Sequence, residues 1–102
     1  MKRLLLSLTV MAAILGACQK TTTTYTPDCS GDPKSFSADV YPIIQSACNN
    51  CHSNLSSYSQ VYANRSSIRS SVADGIMPQG ESLSDTQKNN IICWIDNGAP
   101  NN

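Results

Sequence analysis

The chain has 102 residues, with seven basic and seven acidic side chains for a formal net charge of zero, and only 6% of its residues are aromatic. That length allows one domain with a modest core, because small domains bury proportionately less surface. The balanced charge, with no basic patch or stripe, excludes the usual electrostatic footprint of a nucleic-acid binder.

Lys2 and Arg3 precede an apolar run from Leu4 to Leu15, and Gly16, Ala17 and Cys18 follow. A positive start, a short apolar stretch and small residues at its end describe a secretory signal peptide over residues 1–17. About a dozen apolar residues are too few to span a bilayer comfortably. Leu15-Gly16-Ala17-Cys18 resembles a bacterial lipobox, in which the Cys is acylated and becomes the first mature residue. The alternative is an ordinary cleaved signal that leaves Cys18 a free thiol. Several acyl chains on Cys18 hold a protein stably on a membrane where one does not. Removing Lys2 and Arg3 leaves five basic and seven acidic side chains, a net charge near −2. Residues 18–34, with their Thr21–Thr24 run, carry neither helical nor strand periodicity and read as a lipid-anchored flexible tether, roughly 50 Å long when extended.

The domain proper is expected over residues 35–102. Phe36, Val40, Ile43, Ile44 and Ala47 recur at three- and four-residue spacings, the mark of an amphipathic helix. Ser37 or Asp39 is the expected cap, with Asp39 preferred because it puts Pro42 in the first turn, where a missing N–H does no harm. Tyr58, Val61 and Tyr62 predict a second short helix. Ile68 and Val72 predict a further turn or two stopping at Gly75, a natural left-handed cap. The last helix has the clearest bounds: Ser84 with Gln87 forms a capping-box pattern, Ile91, Ile92, Trp94 and Ile95 supply apolar area, and Gly98 with Pro100 ends it. No segment alternates like a strand, so the expected class is all-α.

The first of these helices leads into Cys48-Asn49-Asn50-Cys51-His52. A Cys-x-x-Cys-His run is the attachment signature of c-type haem: each thiol adds to a vinyl group, and the next residue reaches the iron. His52 is the only histidine, so no second imidazole competes. One Trp and one Phe are scarce material for an independent core, and a buried porphyrin would add apolar mass. The opposite axial face points to Met77, the only methionine left after removal of Met1 and Met11, in the loop Gly75-Ile76-Met77-Pro78. Thioether opposite imidazole raises the reduction potential relative to stronger donors. Met77 has a plainer alternative as a filler of a core gap.

Two other readings use the same cysteines. Cys48 and Cys51 with Cys29 and Cys93 would compose a four-thiolate zinc site, and a Cys-x-x-Cys near a βαβ pattern would suggest thioredoxin-like chemistry. The export signal, the absence of a βαβ pattern and the His directly after the second Cys favour haem over both. Setting aside Cys18 and the haem pair leaves Cys29 and Cys93, which in an oxidising compartment form a disulfide most simply; two unpaired thiols are the alternative.

From Phe36 onward the chain resembles bacterial monohaem class I cytochromes c, of the compact, lipoprotein-anchored type found in Bacteroidetes and Planctomycetes. The resemblance lies in Asp39-Val40-Tyr41-Pro42-Ile43-Ile44, in Cys48 to His52, in Gly75-Ile76-Met77-Pro78, and in Leu83-Ser84 with Ile92 to Pro100. It implies three to five short helices around one covalently bound haem, with the first and last helices packed across each other. It further implies thioether attachment at Cys48 and Cys51 and axial ligation by His52 and Met77. The span from His52 to Met77 is much shorter than in the familiar mitochondrial type, and Cys29 and Cys93 lie outside the family pattern. The expected function is a periplasmic, membrane-tethered carrier of single electrons between redox partner proteins, rather than an enzyme. The alternatives are a haem-based sensor or peroxidase-like enzyme with a dissociable Met77, which no second His or neighbouring acid–base group supports, and a zinc-stabilised structural lipoprotein.

Overall fold

The computed structural model describes residues 24–49, 51–80 and 82–102. The signal peptide expected at residues 1–17, the acylation expected at Cys18 and the first part of the expected tether lie outside the described residues.

Residues 36–48 wind as one continuous helix, α1, made of a π-helical turn at Phe36–Val40, an α-helical turn at Tyr41–Ile43 and a second π-helical turn at Ile44–Cys48. Its cap is Ser35, not the Asp39 or Ser37 that the sequence favours. The Ser35 hydroxyl accepts the Ala38 N–H at 3.1 Å, and the Asp39 carboxylate accepts the Ser35 N–H at 2.8 Å. Asp39 thus completes a reciprocal cap from inside the helix instead of starting it. Pro42 then falls beyond the first turn, where it has no N–H to give and its ring crowds the carbonyl four residues back. The wider turn beside it, closed by the Tyr41 N–H on the Phe36 carbonyl, is consistent with that constraint.

The helices α2 (Tyr58–Ala63), α3 (Arg65–Ala73) and α4 (Asp85–Asp96) follow. The Ser57 hydroxyl caps α2, and Ser84 with Gln87 forms the full capping box of α4. Both α3 and α4 end on a glycine with positive φ, Gly75 at 69° and Gly98 at 97°. At each stop two amides turn back on the last turn: Gly75 to Val72 and Ile76 to Ser71, Gly98 to Ile95 and Ala99 to Trp94. This is the Schellman closure, which satisfies carbonyls that would otherwise be orphaned. Among the described residues the fold is helical, with no strand, and no helix is long and apolar enough to cross a membrane.

The start of α1 packs against α4 through aromatic rings. Phe36 lies 5.4 Å from Trp94, 5.2 Å from Tyr58 and 5.3 Å from Tyr41 between ring centroids. Trp94 is fully buried and donates its indole N–H to the Pro100 carbonyl at 2.9 Å. Val40, Ile44, Val61, Ile91 and Ile92 complete a dry centre with no exposed surface. One Phe and one Trp therefore go further than their number suggests, because three tyrosine and indole neighbours converge on a single ring.

Residues 24–34 differ from the tether that the sequence suggests. Tyr25 donates its backbone N–H to the Ala73 carbonyl at 2.8 Å and its hydroxyl to Asn89 Oδ1 at 2.8 Å. Asp28 donates its N–H to the same Asn89 oxygen, and Cys29 is bonded to Cys93 with 5.4 Å between Cα atoms. The segment lies as a strap along α3 and α4. Its lack of periodicity is the signature of an extended strap as much as of a free tether. Near the C-terminal end of α4, Arg69 grips Asp96 in a two-pronged ion pair, Nε to Oδ1 at 2.6 Å and Nη2 to Oδ2 at 2.9 Å.

Two stability effects follow. Closing a loop across 64 positions removes enough denatured-state entropy to stabilise by about 4 kcal/mol, so replacing Cys29 and Cys93 together by Ser should lower the urea midpoint sharply; an unchanged midpoint would show that the bridge constrains nothing. The Arg69 hydrogen bond holds the Asp96 carboxyl below its ordinary value of 3.8, so its contribution is present above that range and is lost as pH falls through the depressed folded value. At neutral pH Asp96→Asn should cost no more than about 1 kcal/mol, since the pair is half exposed, and it should flatten the acid limb of stability measured by urea unfolding from pH 7 to pH 3. An acid limb identical to that of the parent protein would rule out this pair as its source.

Candidate functional site

The end of α1 feeds a tight turn built on one carbonyl. Cys48 C=O accepts the N–H of His52 at 2.9 Å and of Cys51 at 3.2 Å, and the His52 carbonyl accepts the Leu55 N–H at 3.0 Å. Leu55 is buried and pins the end of the turn to the core. Cys48, Cys51 and His52 thereby sit on a short, folded stretch whose position is set by α1 on one side and Leu55 on the other.

The Met77 loop is built by the stop of α3. Ser71 C=O accepts both the Ile76 N–H at 3.0 Å and the Met77 N–H at 3.2 Å. Two amides on one acceptor fix the loop to the last turns of α3, which is itself packed on α4. The Met77–Pro78 peptide is cis.

These two segments meet. A cleft of about 270 Å³ is lined by Cys48, Cys51, His52 and Met77, together with Ser46, Ala47, Pro78 and Gln79. A second cleft, of about 150 Å³, shares Cys48, His52 and Met77 and is walled by Leu55, Ile68 and Val72. The sequence-predicted thiols, imidazole and thioether are thus gathered at one place. Beside Asn54, the wall has a polar part that is not expected from the sequence: Asn64, Ser67 and Ser71. Those residues alternate with Ile68 and Val72 at three- and four-residue steps, so the helical period marks them on the same face of α3; reading only apolar positions hides them.

Burial raises the Cys48 thiol above its ordinary value, and Cys48 is only partly exposed, whereas Cys51 is exposed. Both are free thiols in the structure. Cys29 and Cys93 are bonded to each other elsewhere, so they do not join Cys48 and Cys51 in the four-thiolate set that a zinc site would need. Among the described residues no three His, Cys, Asp or Glu side chains gather as a metal site.

A larger cleft, about 330 Å³, lies between the strap and α4. Some of its polar groups satisfy one another or a neighbour: Asn89 takes Tyr25 and Asp28, Asp28 takes Ser30, and Asp96 takes Arg69. Lys34, Thr86, Asn90 and Asn97 also line it, but its two sulfurs are tied up in the disulfide, and the free thiols, the imidazole and the thioether line the smaller cleft. Its two sulfhydryls, one imidazole and one thioether suit a porphyrin iron centre: thiols for covalent attachment, nitrogen and sulfur for the axial positions, and an aliphatic wall beside them.

Comparison with known protein families, with characterised proteins and with solved structures gave no match.

In protein made without cofactor, Cys51 should alkylate several-fold faster than Cys48 with iodoacetamide near pH 8, because the thiolate is the nucleophile and burial disfavours it at Cys48. Peptide mass mapping over time checks the order; equal rates would show that the turn leaves both sulfurs equally exposed.

Proposed function

We propose that the chain is an exported, lipid-anchored c-type cytochrome that carries single electrons between redox partner proteins through one haem held by Cys48, Cys51, His52 and Met77. The observation that carries the reading is the convergence of these four side chains on one cleft, from two segments 25 positions apart. Bound there, haem supplies a one-electron ferric–ferrous couple.

The chain's own residues have distinct parts in this account. Cys48 and Cys51 would hold the group through thioether bonds, and the turn closed at the Cys48 carbonyl sets both thiols on the same folded stretch as His52, which would bind the iron. Met77 supplies a soft sulfur donor that favours the reduced state relative to stronger donors. Leu55, Ile68 and Val72 give the adjoining cleft an apolar wall, and an apolar surround tunes the potential of a bound metal centre. His52 and Met77 would together supply two protein donors to the iron, which would leave no position for a substrate, and this is why a carrier is proposed rather than an enzyme. Acylation at Cys18 would keep the domain at a membrane facing the periplasm, in reach of membrane-associated partners.

The absorption spectrum of protein made in a host with cytochrome c maturation machinery separates the readings. Sharp reduced bands are expected for six-coordinate haem. A high-spin spectrum with rapid carbon monoxide binding in the unmutated reduced protein would instead favour a sensor or peroxidase-like enzyme with a dissociable Met77, and no haem bands would leave a structural lipoprotein. Met77→Ala should remove the weak near-infrared sulfur-to-iron band of the oxidised protein, lower the potential and open the iron to carbon monoxide. Cys18→Ala should leave these spectra intact while abolishing acylation and detergent-phase partition.

A further inference from the structure

The strap joins the domain at the base of the Met77 loop. Thr24 donates its hydroxyl to the Asp74 carboxylate at 3.2 Å, and the Tyr25 N–H reaches the Ala73 carbonyl at 2.8 Å. Ala73 and Asp74 are the last residue and the cap of α3, so Gly75, Ile76 and Met77 follow immediately. Ile76 is 58% exposed, more than any other large hydrophobic among the described residues. Its exposure has a cause: the Schellman stop ties its N–H to Ser71 and leaves its side chain outside the core.

From this point the strap runs along α4 in the helix's own direction, Tyr25 to Asp85 and Asn89, Asp28 to Asn89, Cys29 to Cys93. Thr24 therefore marks the end of the domain that holds the start of α4, and residues 99–102 lie toward its other end, folded over Trp94 and the start of α1. A helix of 12 residues separates the two ends by about 18 Å. Only residues 19–23 lie between Cys18 and Thr24, and a fully extended chain covers no more than roughly 20 Å over that distance.

We propose, resting on acylation at Cys18, that the strap orients the domain on a phospholipid surface, with the Thr24–Asp74 end inward and Ile76 as its apolar contact with the interface. The Cys29–Cys93 bridge acts as the clamp on the leash. With the bridge in place the strap is held to the domain from Thr24 onward; with both cysteines replaced by Ser the covalent hold is lost, and a strap peeled back to residue 34 would reach roughly 50 Å from Cys18, longer than the domain's helices. A short leash confines the Met77 loop to the membrane side, where its cleft faces partners embedded in the same bilayer.

The test uses the full acylated chain on vesicles of phosphatidylethanolamine and phosphatidylglycerol, with a diazirine amino acid placed either at position 76 or at the exposed position 101. Lipid adducts are counted by mass after irradiation. Labelling several-fold higher at 76 than at 101 is expected, and inserting twenty Gly and Ser residues after Thr23, or replacing Cys29 and Cys93 by Ser, should bring the ratio toward one. Equal labelling in the unmodified vesicle-bound protein, or a bias toward 101, overturns the orientation. Failure to float with the vesicles overturns it as well, through loss of the acyl anchor. The haem spectrum of the same sample is read independently: its absence would remove the proposed function without altering the labelling ratio.

Discussion

Phe36 meets Trp94 at 5.4 Å between ring centroids, and the position of the cleft is set from that contact. It joins the first turn of α1 to the third turn of α4, so the far end of α1 arrives at a defined place with Cys48 at its tip. The same indole hands its N–H to Pro100 and the neighbouring Tyr58 hydroxyl binds the Ala99 carbonyl, which locks the C-terminal residues over the aromatic cluster. Truncating an aromatic of this kind in a full core costs about 3–5 kcal/mol, a large share of the stability of so small a domain. Loss of Phe36 or Trp94 would therefore disturb the cleft without touching any residue that lines it.

The second half of the cleft depends on α3 and is held differently. Ser71 accepts two amides from the Met77 loop, so the loop is a backbone construction whose aim follows the axis of α3. That axis is secured on both sides, by Arg69 on Asp96 of α4 and by the strap at Ala73. The donors from the two halves then approach one another because both helices are referenced to α4. In the reading proposed for the chain, the N-terminal strap is consequently part of the ligand scaffold, although no strap residue lines the cleft.

Much of this was legible in the residues. The apolar spacing from Phe36 to Ala47, the capping box at Ser84 and the glycine stop at Gly75 follow local rules of helix geometry and capping, and the structure has helices with those stops. The N-cap of α1 was not, because Ser35, Ser37 and Asp39 all have capping chemistry and only the reciprocal bond between Ser35 and Asp39 decides among them. The strap was hidden for another reason. Thr-rich, aperiodic sequence is equally compatible with free chain and with chain held by contacts more than 40 positions away, and Tyr25 finds its partners at Ala73, Asp85 and Asn89. The joining of Cys29 to Cys93 could be approached by subtraction, but its consequence, a leash shortened to residue 24, required the fold. At the cleft, the four chemistry-bearing side chains stood out by type and spacing, whereas the polar face of α3 beside them did not, because Asn and Ser on a helix read as solvated surface until a neighbour covers them.

The claim that everything functional hangs on is covalent attachment at Cys48 and Cys51. Its most direct measurement is peptide mapping of the protein from a host with cytochrome c maturation machinery, after extraction with acidified acetone. The account predicts that the peptide containing Cys48 and His52 retains the mass of one haem, bonded through both sulfurs. A porphyrin recovered in the solvent, with both thiols on that peptide free to alkylate, would contradict it.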